Sequence, residues 1–168
     1  MRAAIDPSPP TDAPPRPVWP WVATALRVGL GAVALVAGLT KVSDLPASVR
    51  AVRAYQLLPE VLAVLTGNAL PLVEIILGVL LVLGLFTRVS AAAFGLMLVA
   101  FCIGIWSAWA RGLAIECGCF GGVGVIDPAN TIYLLYLLRD VALITVAAVL
   151  VRRPHSRLSL DSALDLSL

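Results

Sequence analysis

Four long apolar segments, each close to the length of a membrane span, constrain this chain more than any other feature of its sequence. A transmembrane helix needs about 20 mostly apolar residues. The segments that meet this requirement run over residues 19–40, 68–86, 91–109 and 131–151. They are continuous and lack the alternation of a half-buried strand. Because lipid offers the backbone no hydrogen-bond partners, such segments form helices, and we expect an all-α integral membrane four-helix bundle.

The composition agrees with a chain whose main solvent is lipid. Apolar residues make up 60% of the chain and charged residues 13%, whereas soluble domains have about 45–50% and about 25%. The mean hydropathy is +0.98. The formal net charge is only +2 and the charged residues are scattered, so nucleic acid is not an expected partner. The composition therefore excludes a disordered chain, a basic nucleic-acid-binding domain and a disulfide-stapled secreted domain.

The chain divides into a membrane domain and two tails. Residues 1–18 are rich in proline and are predicted to be disordered. Residues 19–151 form the predicted four-helix transmembrane domain, and residues 152–168 a polar tail that is also predicted to be disordered. Small residues within the spans predict close packing between helices in lipid; they are Ala34, Gly38, Gly78 and Gly84.

The connection between the first two spans predicts short helices at the membrane surface. Asp44 is a suitable N-cap, and Pro46 fits the first turn that follows it. The two faces of this interfacial helix differ, one carrying Val49, Val52 and Gln56 and the other Arg50 and Arg53. A second short helix is predicted to begin near Pro59 and to end at Gly67–Asn68, before the second span.

The cysteines give the sharpest local motif of the chain. Cys117 and Cys119 flank Gly118, and a disulfide across so small a ring is strained, which raises its reduction potential. A labile redox pair, a structural loop-closing disulfide and copper(I) binding all stay open, whereas a structural zinc site lacks ligands because His155 is the only histidine. Cys102, inside the third span, is interpreted as a small apolar residue of the core; in the alternative, a re-entrant loop brings Cys117 or Cys119 near it.

Charged residues inside the predicted spans are the next candidates, because each is costly in lipid. Their depths predict two buried pairs, Glu74–Arg139 and Arg27–Asp140. These pairs either fix the helix register or move protons and contact a quinone that accepts electrons. Arg27 has the alternative of extending to the membrane surface, and Lys41 is interpreted as an interfacial anchor.

Lysine and arginine in the short loops predict the orientation. With the N-terminus in the cytoplasm, that side holds Arg2, Arg16, Arg88, Arg152, Arg153 and Arg157. The opposite side holds Lys41, Arg50, Arg53 and Arg111. This difference favours two cytoplasmic termini and an exterior cysteine loop, where disulfides persist.

Several stretches between about residues 26 and 140 carry a resemblance to a known family. They read RVG at 27–29, AGLTKVSD at 37–44, VRAYQLLP at 52–59, LPLVE at 70–74 and CGCFG at 117–121. In this order they resemble the DoxX-like membrane proteins, and most closely the methylamine utilisation protein MauE branch. The resemblance implies a redox-associated four-helix protein of the bacterial inner membrane. For the MauE branch it implies maturation of the disulfide-rich small subunit of methylamine dehydrogenase beside a thioredoxin-like partner.

The residues and the resemblance together predict a thiol/disulfide exchange protein. In this hypothesis Cys117 and Cys119 exchange disulfides with an exported thioredoxin-like or substrate protein. A second hypothesis is a non-catalytic scaffold for a redox complex, with a permanent structural disulfide. A third is a membrane protein that handles copper or a small solute.

Overall fold

The computed structural model describes residues 18–115, 118, 132–153 and 161. The helices in these residues are α1 (Trp19–Val42), α2 (Leu45–Ala54), α3 (Glu60–Leu83), α4 (Thr87–Ala110) and α5 (Tyr133–Arg152). Four of them, all except α2, are long and apolar enough to cross a membrane. The predicted all-α membrane bundle, with one short helix between its first two spans, is therefore confirmed.

The helices pack mainly in two pairs, α1 with α3 and α4 with α5, and α2 lies on α3 and α1. The guanidinium of Arg153 lies 5.2 Å from the centroid of the Trp19 ring, so the start of α1 and the end of α5 meet at one end of the bundle. At the other end, Arg111 donates a hydrogen bond to the carbonyl of Tyr55. This second end, which carries α2 and the α4–α5 connection, is called the α2 end below.

The outer surface of the long helices is apolar. Many of their large hydrophobic side chains are exposed, among them Leu39, Leu72, Ile76, Leu96 and Ile103. A surface of this extent on a soluble monomer would be unusual, whereas lipid tails solvate it well. The four long helices thus form a membrane domain whose outer face contacts lipid.

The small residues of α1 and α3 allow their backbones to approach closely. A methyl group at Gly38 would lie 2.8 Å from the carbonyl oxygen of Pro71, and one at Gly78 would lie 3.0 Å from that of Gly31. The predicted packing role of Gly38 and Gly78 is therefore confirmed. The prediction is wrong for Gly84, which has a φ of 70° and caps the C-terminus of α3, a position that favours glycine.

Helix α3 does not break at Gly67–Asn68, and the prediction of a separate short helix there is wrong. The Asn68 side chain donates a hydrogen bond to the Val64 carbonyl, at 2.8 Å, from within the continuous helix. A methyl group at Gly67 would lie 2.6 Å from the Cα of Val49. The glycine is explained by the close approach of α2, which the sequence pattern around it does not reveal.

A proline inside α3 is compensated by a side chain from α2. Pro71 has no N–H, so the carbonyl of Gly67, four residues earlier, loses its helical donor. The buried hydroxyl of Ser48 donates to this carbonyl at 2.8 Å. This is the kind of compensation that lets proline occur in transmembrane helices.

Removing the Ser48 hydroxyl is therefore expected to leave a buried carbonyl without a donor. We expect Ser48→Ala to lower the free energy of unfolding by about 1–2 kcal/mol, measured by reversible unfolding in mixed micelles. Adding Pro71→Ala to this variant restores an N–H and should recover part of the loss. Ser43→Ala, at an exposed hydroxyl, is the control. An equal loss in both serine variants would contradict this role of Ser48.

The predicted start of α2 is confirmed. Asp44 caps the helix by accepting a hydrogen bond from the Ala47 N–H at 2.9 Å, and the proline lies in the first turn. The two faces differ as expected, with Val49 buried and Arg50 and Arg53 exposed. Gln56 does not share the buried face, because it follows the end of α2 with a φ of 52° and is exposed.

Asp161 of the C-terminal tail contacts the start of α4. Its carboxylate accepts hydrogen bonds from the N–H groups of Phe86, at 2.7 Å, and Thr87, at 2.8 Å. Its own N–H donates to the carbonyl of Gly84 at 3.0 Å. These bonds satisfy donors that a helix N-terminus leaves free. At this residue the structure differs from the predicted disordered tail.

Candidate functional site

A buried ion pair joins α1 to α3. Lys41 Nζ lies 2.5 Å from Glu74 Oε1, and the two side chains are 2% and 1% exposed. The ammonium also lies 5.6 Å from the centroid of the Phe101 ring, within the range of a cation–π contact. The interpretation of Lys41 as an interfacial anchor is therefore wrong. Lys41 continues the buried face of α1 that includes Ala34 and Ala37, which turns it toward α3.

A second ion pair lies within α5. Oδ1 of Asp140 accepts hydrogen bonds from Arg139 Nη2, at 2.8 Å, and Nε, at 3.0 Å. Asp140 is fully buried, and Arg139 is 29% exposed. The predicted Glu74–Arg139 and Arg27–Asp140 pairs are therefore wrong. Helix α3 packs chiefly on α1, whereas α5 packs chiefly on α4, so Glu74 finds its partner on α1 and Asp140 finds its own within α5.

Arg27 is not part of this cluster. It lies 14 residues before Lys41 on α1, which is about 21 Å at 1.5 Å per residue. Its side chain is 1% exposed, and the alternative in which it extends to the membrane surface stays a prediction. The acidic group that acts electrostatically on it is Asp161. Arg27 thus belongs to the end of the bundle where the C-terminal tail contacts α4.

A small cavity lies between the two ion pairs. Its volume is about 20 Å³, and Glu74, Arg139 and Asp140 line it. The remaining lining residues are apolar; they are Val33, Ala37, Phe94, Leu98, Phe101 and Leu143. The four charged residues Lys41, Glu74, Arg139 and Asp140 are called the ionic cluster below. Three of them line the cavity, and Lys41 joins them through its ion pair with Glu74.

Each carboxylate of the ionic cluster has one oxygen that no side chain or backbone group satisfies. Glu74 Oε2 and Asp140 Oδ2 are buried and have no hydrogen-bond partner among the residues that the structure describes. A buried acceptor without a donor costs about 1–3 kcal/mol, and more when it is charged. Both residues line the same cavity.

Tyr55 connects the ionic cluster with the α2 end. It follows the last residue of α2, and its ring carbon Cε1 would lie 3.3 Å from a methyl group at Gly104. Burial, and then the nearby charge of Asp140, raise the pKa of the Tyr55 hydroxyl above its usual range. The hydroxyl therefore stays protonated at neutral pH, where it can both donate and accept hydrogen bonds.

Cys102 lies at the edge of the ionic cluster. It is a partly exposed residue of α4, and its charged neighbours are Asp140 and Arg139. The interpretation of Cys102 as a core residue is therefore only partly correct. Cys117 and Cys119 lie outside the described residues, so their predicted proximity to Cys102 stays a prediction.

Gly118, the residue between these two cysteines in the sequence, lies against α2. Its φ is +68°, a conformation that glycine adopts readily and other residues rarely. A methyl group at Gly118 would lie 2.9 Å from Cβ of Ala51. Both the backbone conformation and the close contact with α2 therefore require glycine at the centre of the motif.

A comparison with protein-family models matches residues 19–153 to the family described as Methylamine utilisation protein MauE. This chain belongs to the MauE family. No curated protein and no solved structure matches it. The matched range contains all five helices, and with them the ionic cluster and Gly118. The candidate site of this MauE-family chain therefore lies within the region that defines the family membership.

The sequence of the MauE-family chain indicated three of the four residues of the ionic cluster, Glu74, Arg139 and Asp140. Lys41 and Tyr55 were missed as part of the site. The signal for Lys41 was available, since it lies seven residues after Ala34 and three after Gly38, on one helical face. For Tyr55 no such signal exists. Its approach to Asp140 depends on how the end of α2 turns into the bundle.

Proposed function

We propose that this MauE-family protein exchanges thiol/disulfide equivalents through Cys117 and Cys119 with an exported thioredoxin-like or substrate protein during protein maturation. The observation that carries the proposal is the contact of Gly118 with Ala51 of α2. Gly118 is also partly exposed, and the two observations support a position of the motif at the α2 end, beside the bundle surface. A reactive pair that serves a protein partner needs such an accessible position.

The exchange conserves disulfides and electrons. A thiolate of one protein attacks the disulfide of the other, and a mixed disulfide forms while one thiolate leaves. The second cysteine of the attacking protein then breaks the mixed disulfide. Two electrons and two protons pass between the proteins, so one dithiol is oxidised for each disulfide that is reduced. A second exported thiol protein then reacts with Cys117 and Cys119 by the same steps in reverse, and this returns the two cysteines to their original redox state.

The proposed location is the bacterial inner membrane, with both termini in the cytoplasm and the cysteine motif outside. The contact of Arg153 with Trp19 supports a common side for the two termini of the bundle. The distribution of lysine and arginine supports the cytoplasm as that side, and the exterior is where a disulfide-forming pair would work. The wider likeness to DoxX-like proteins, which are redox-associated, also stays a prediction.

A redox titration in intact cells tests the proposed function. We expect the Cys117–Cys119 pair to react with a membrane-impermeant maleimide after reduction, and to change state between about −120 and −270 mV, the range of exchange proteins. Cys117→Ser or Cys119→Ser should trap a mixed disulfide with the partner, whereas Cys102→Ser is the matched control and should not. A pair that stays oxidised below about −300 mV would contradict exchange and favour the scaffold with a structural disulfide.

A further inference from the structure

The cavity inside the ionic cluster is a site that thiol exchange does not use. We propose that it holds one water molecule which bridges Glu74 Oε2 and Asp140 Oδ2, and that the water and the two carboxylates form an intramembrane proton-binding site. The proposed ligand of this site is a proton, and the two carboxylates bind it together with the water between them. The proposal goes beyond thiol exchange and does not rest on it.

The size and the polarity of the cavity fit a single water. A water needs about 10–15 Å³ of such space and two to four polar partners, and the cavity offers about 20 Å³. Its lining contains the two residues whose buried oxygens lack donors, Glu74 and Asp140. A water has two O–H groups, which is one donor for each of these two oxygens. The apolar residues around it leave no room for a larger polar ligand.

The arrangement of charges favours binding of a proton between the two carboxylates. Lys41 donates to Oε1 of Glu74, and Arg139 donates to Oδ1 of Asp140, so each cation is directed at the oxygen that the water does not reach. The other two carboxylate oxygens have no hydrogen-bond donor among the described residues, and both residues line the cavity. Two carboxylates that approach one water bind a proton more readily than one carboxylate alone, because the charge of each opposes ionisation of the other.

The surroundings of this site contain other ionisable groups from each element packed against it. Lys41 faces it from α1, Tyr55 from the end of α2, Cys102 from α4, and Arg139 and Tyr136 from α5. The two cations balance the two carboxylates, so binding of one proton takes the ionic cluster from neutral to a single positive charge. Tyr55 lies at the α2 end, where its carbonyl accepts a hydrogen bond from Arg111.

Infrared difference spectroscopy of the full chain in lipid nanodiscs tests this proposal. On acidification we expect a C=O stretching band of a protonated, buried carboxyl group, which shifts in D₂O. We also expect an O–H band of a single confined water that shifts in H₂¹⁸O. Glu74→Gln and Asp140→Asn should each remove the carboxyl band or shift it. Glu60→Gln, which changes an exposed carboxylate of the same helix as Glu74, is the matched control and should leave both bands in place.

The wild-type spectra alone can overturn the proposal, so it does not depend on whether the variants fold. Absence of a buried carboxyl band at every pH at which the protein stays folded would mean that the site binds no proton. Absence of a confined-water band would mean that the cavity is dry. A carboxyl band that persists unchanged in both folded variants would assign the proton elsewhere. Because the protein is measured without any partner, these results are independent of thiol exchange.

Discussion

Changing Glu74 to leucine is expected to lower the free energy of unfolding by about 3–5 kcal/mol, because it leaves a buried ammonium without its counter-charge. Lys41 is 2% exposed and its ammonium contacts the Glu74 carboxylate at 2.5 Å, so water cannot replace the lost partner. Lys41→Met should lower the free energy of unfolding by a similar amount, because it leaves the buried Glu74 carboxylate without its counter-charge. The measurement is reversible unfolding of the purified protein in mixed micelles.

The double variant Lys41→Met/Glu74→Leu separates the ion pair from the packing around it. Replacing both charges with apolar groups of similar size is often neutral, so the double variant should recover most of the loss of either single one. The exposed pair Arg53–Glu60, with side chains 47% and 64% exposed, is the control and should contribute at most about 1 kcal/mol. Additive losses at Lys41 and Glu74 would contradict a coupled buried pair.

The second large effect is expected at the interface of α1 and α3. We expect Gly38→Ala to lower the free energy of unfolding by about 2–3 kcal/mol, since overpacking forces the surroundings to shift. The added methyl group would lie 2.8 Å from the Pro71 carbonyl oxygen and 3.0 Å from the Ile75 nitrogen. Both are backbone atoms, which cannot move aside by a change of side-chain rotamer. The same unfolding measurement, with a thermal scan, checks this prediction.

Gly29 provides a matched control on the same helix. No atom lies within 4 Å of a methyl group placed there, so Gly29→Ala removes a glycine from α1 without a collision. Alanine is a better helix former than glycine by about 1 kcal/mol, and this variant should be neutral or slightly stabilising. Equal destabilisation of both variants would mean that the backbones of α1 and α3 do not approach as closely as described.

The spans could be predicted from the sequence because the hydrophobicity that identifies a membrane helix accumulates over about 20 consecutive residues. Continuous apolar runs at residues 19–40 and 131–151 correspond closely to α1 and α5. The N-terminal part of α3 could not be predicted, because Gly67 and Asn68 look like a break in isolation. Their presence inside a helix depends on the contact of α2 with that helix, which is a property of the tertiary structure.

The charged residues of the site were predictable, but their partners were not. Depth in the membrane follows from sequence position, and it correctly placed Glu74 and Asp140 within the spans. Partner choice depends in addition on the rotation of each helix and on which helices are neighbours. Depth alone therefore suggested Arg139 for Glu74, whereas the helix that packs against α3 presents Lys41 instead. The cavity, which lies between the four helices α1, α3, α4 and α5, has no counterpart in any local pattern.

The hydrogen bond from the Ser48 hydroxyl to the Gly67 carbonyl has a consequence for the order in which the protein assembles. As an isolated helix in lipid, α3 carries one carbonyl opposite Pro71 that it cannot satisfy by itself. Insertion of this segment into the bilayer and its final folding are therefore separate events. The final folding of α3 is complete only when α2, which is synthesised earlier, packs against it. The hydrogen bonding of α3 is thus completed only by its tertiary contact with α2.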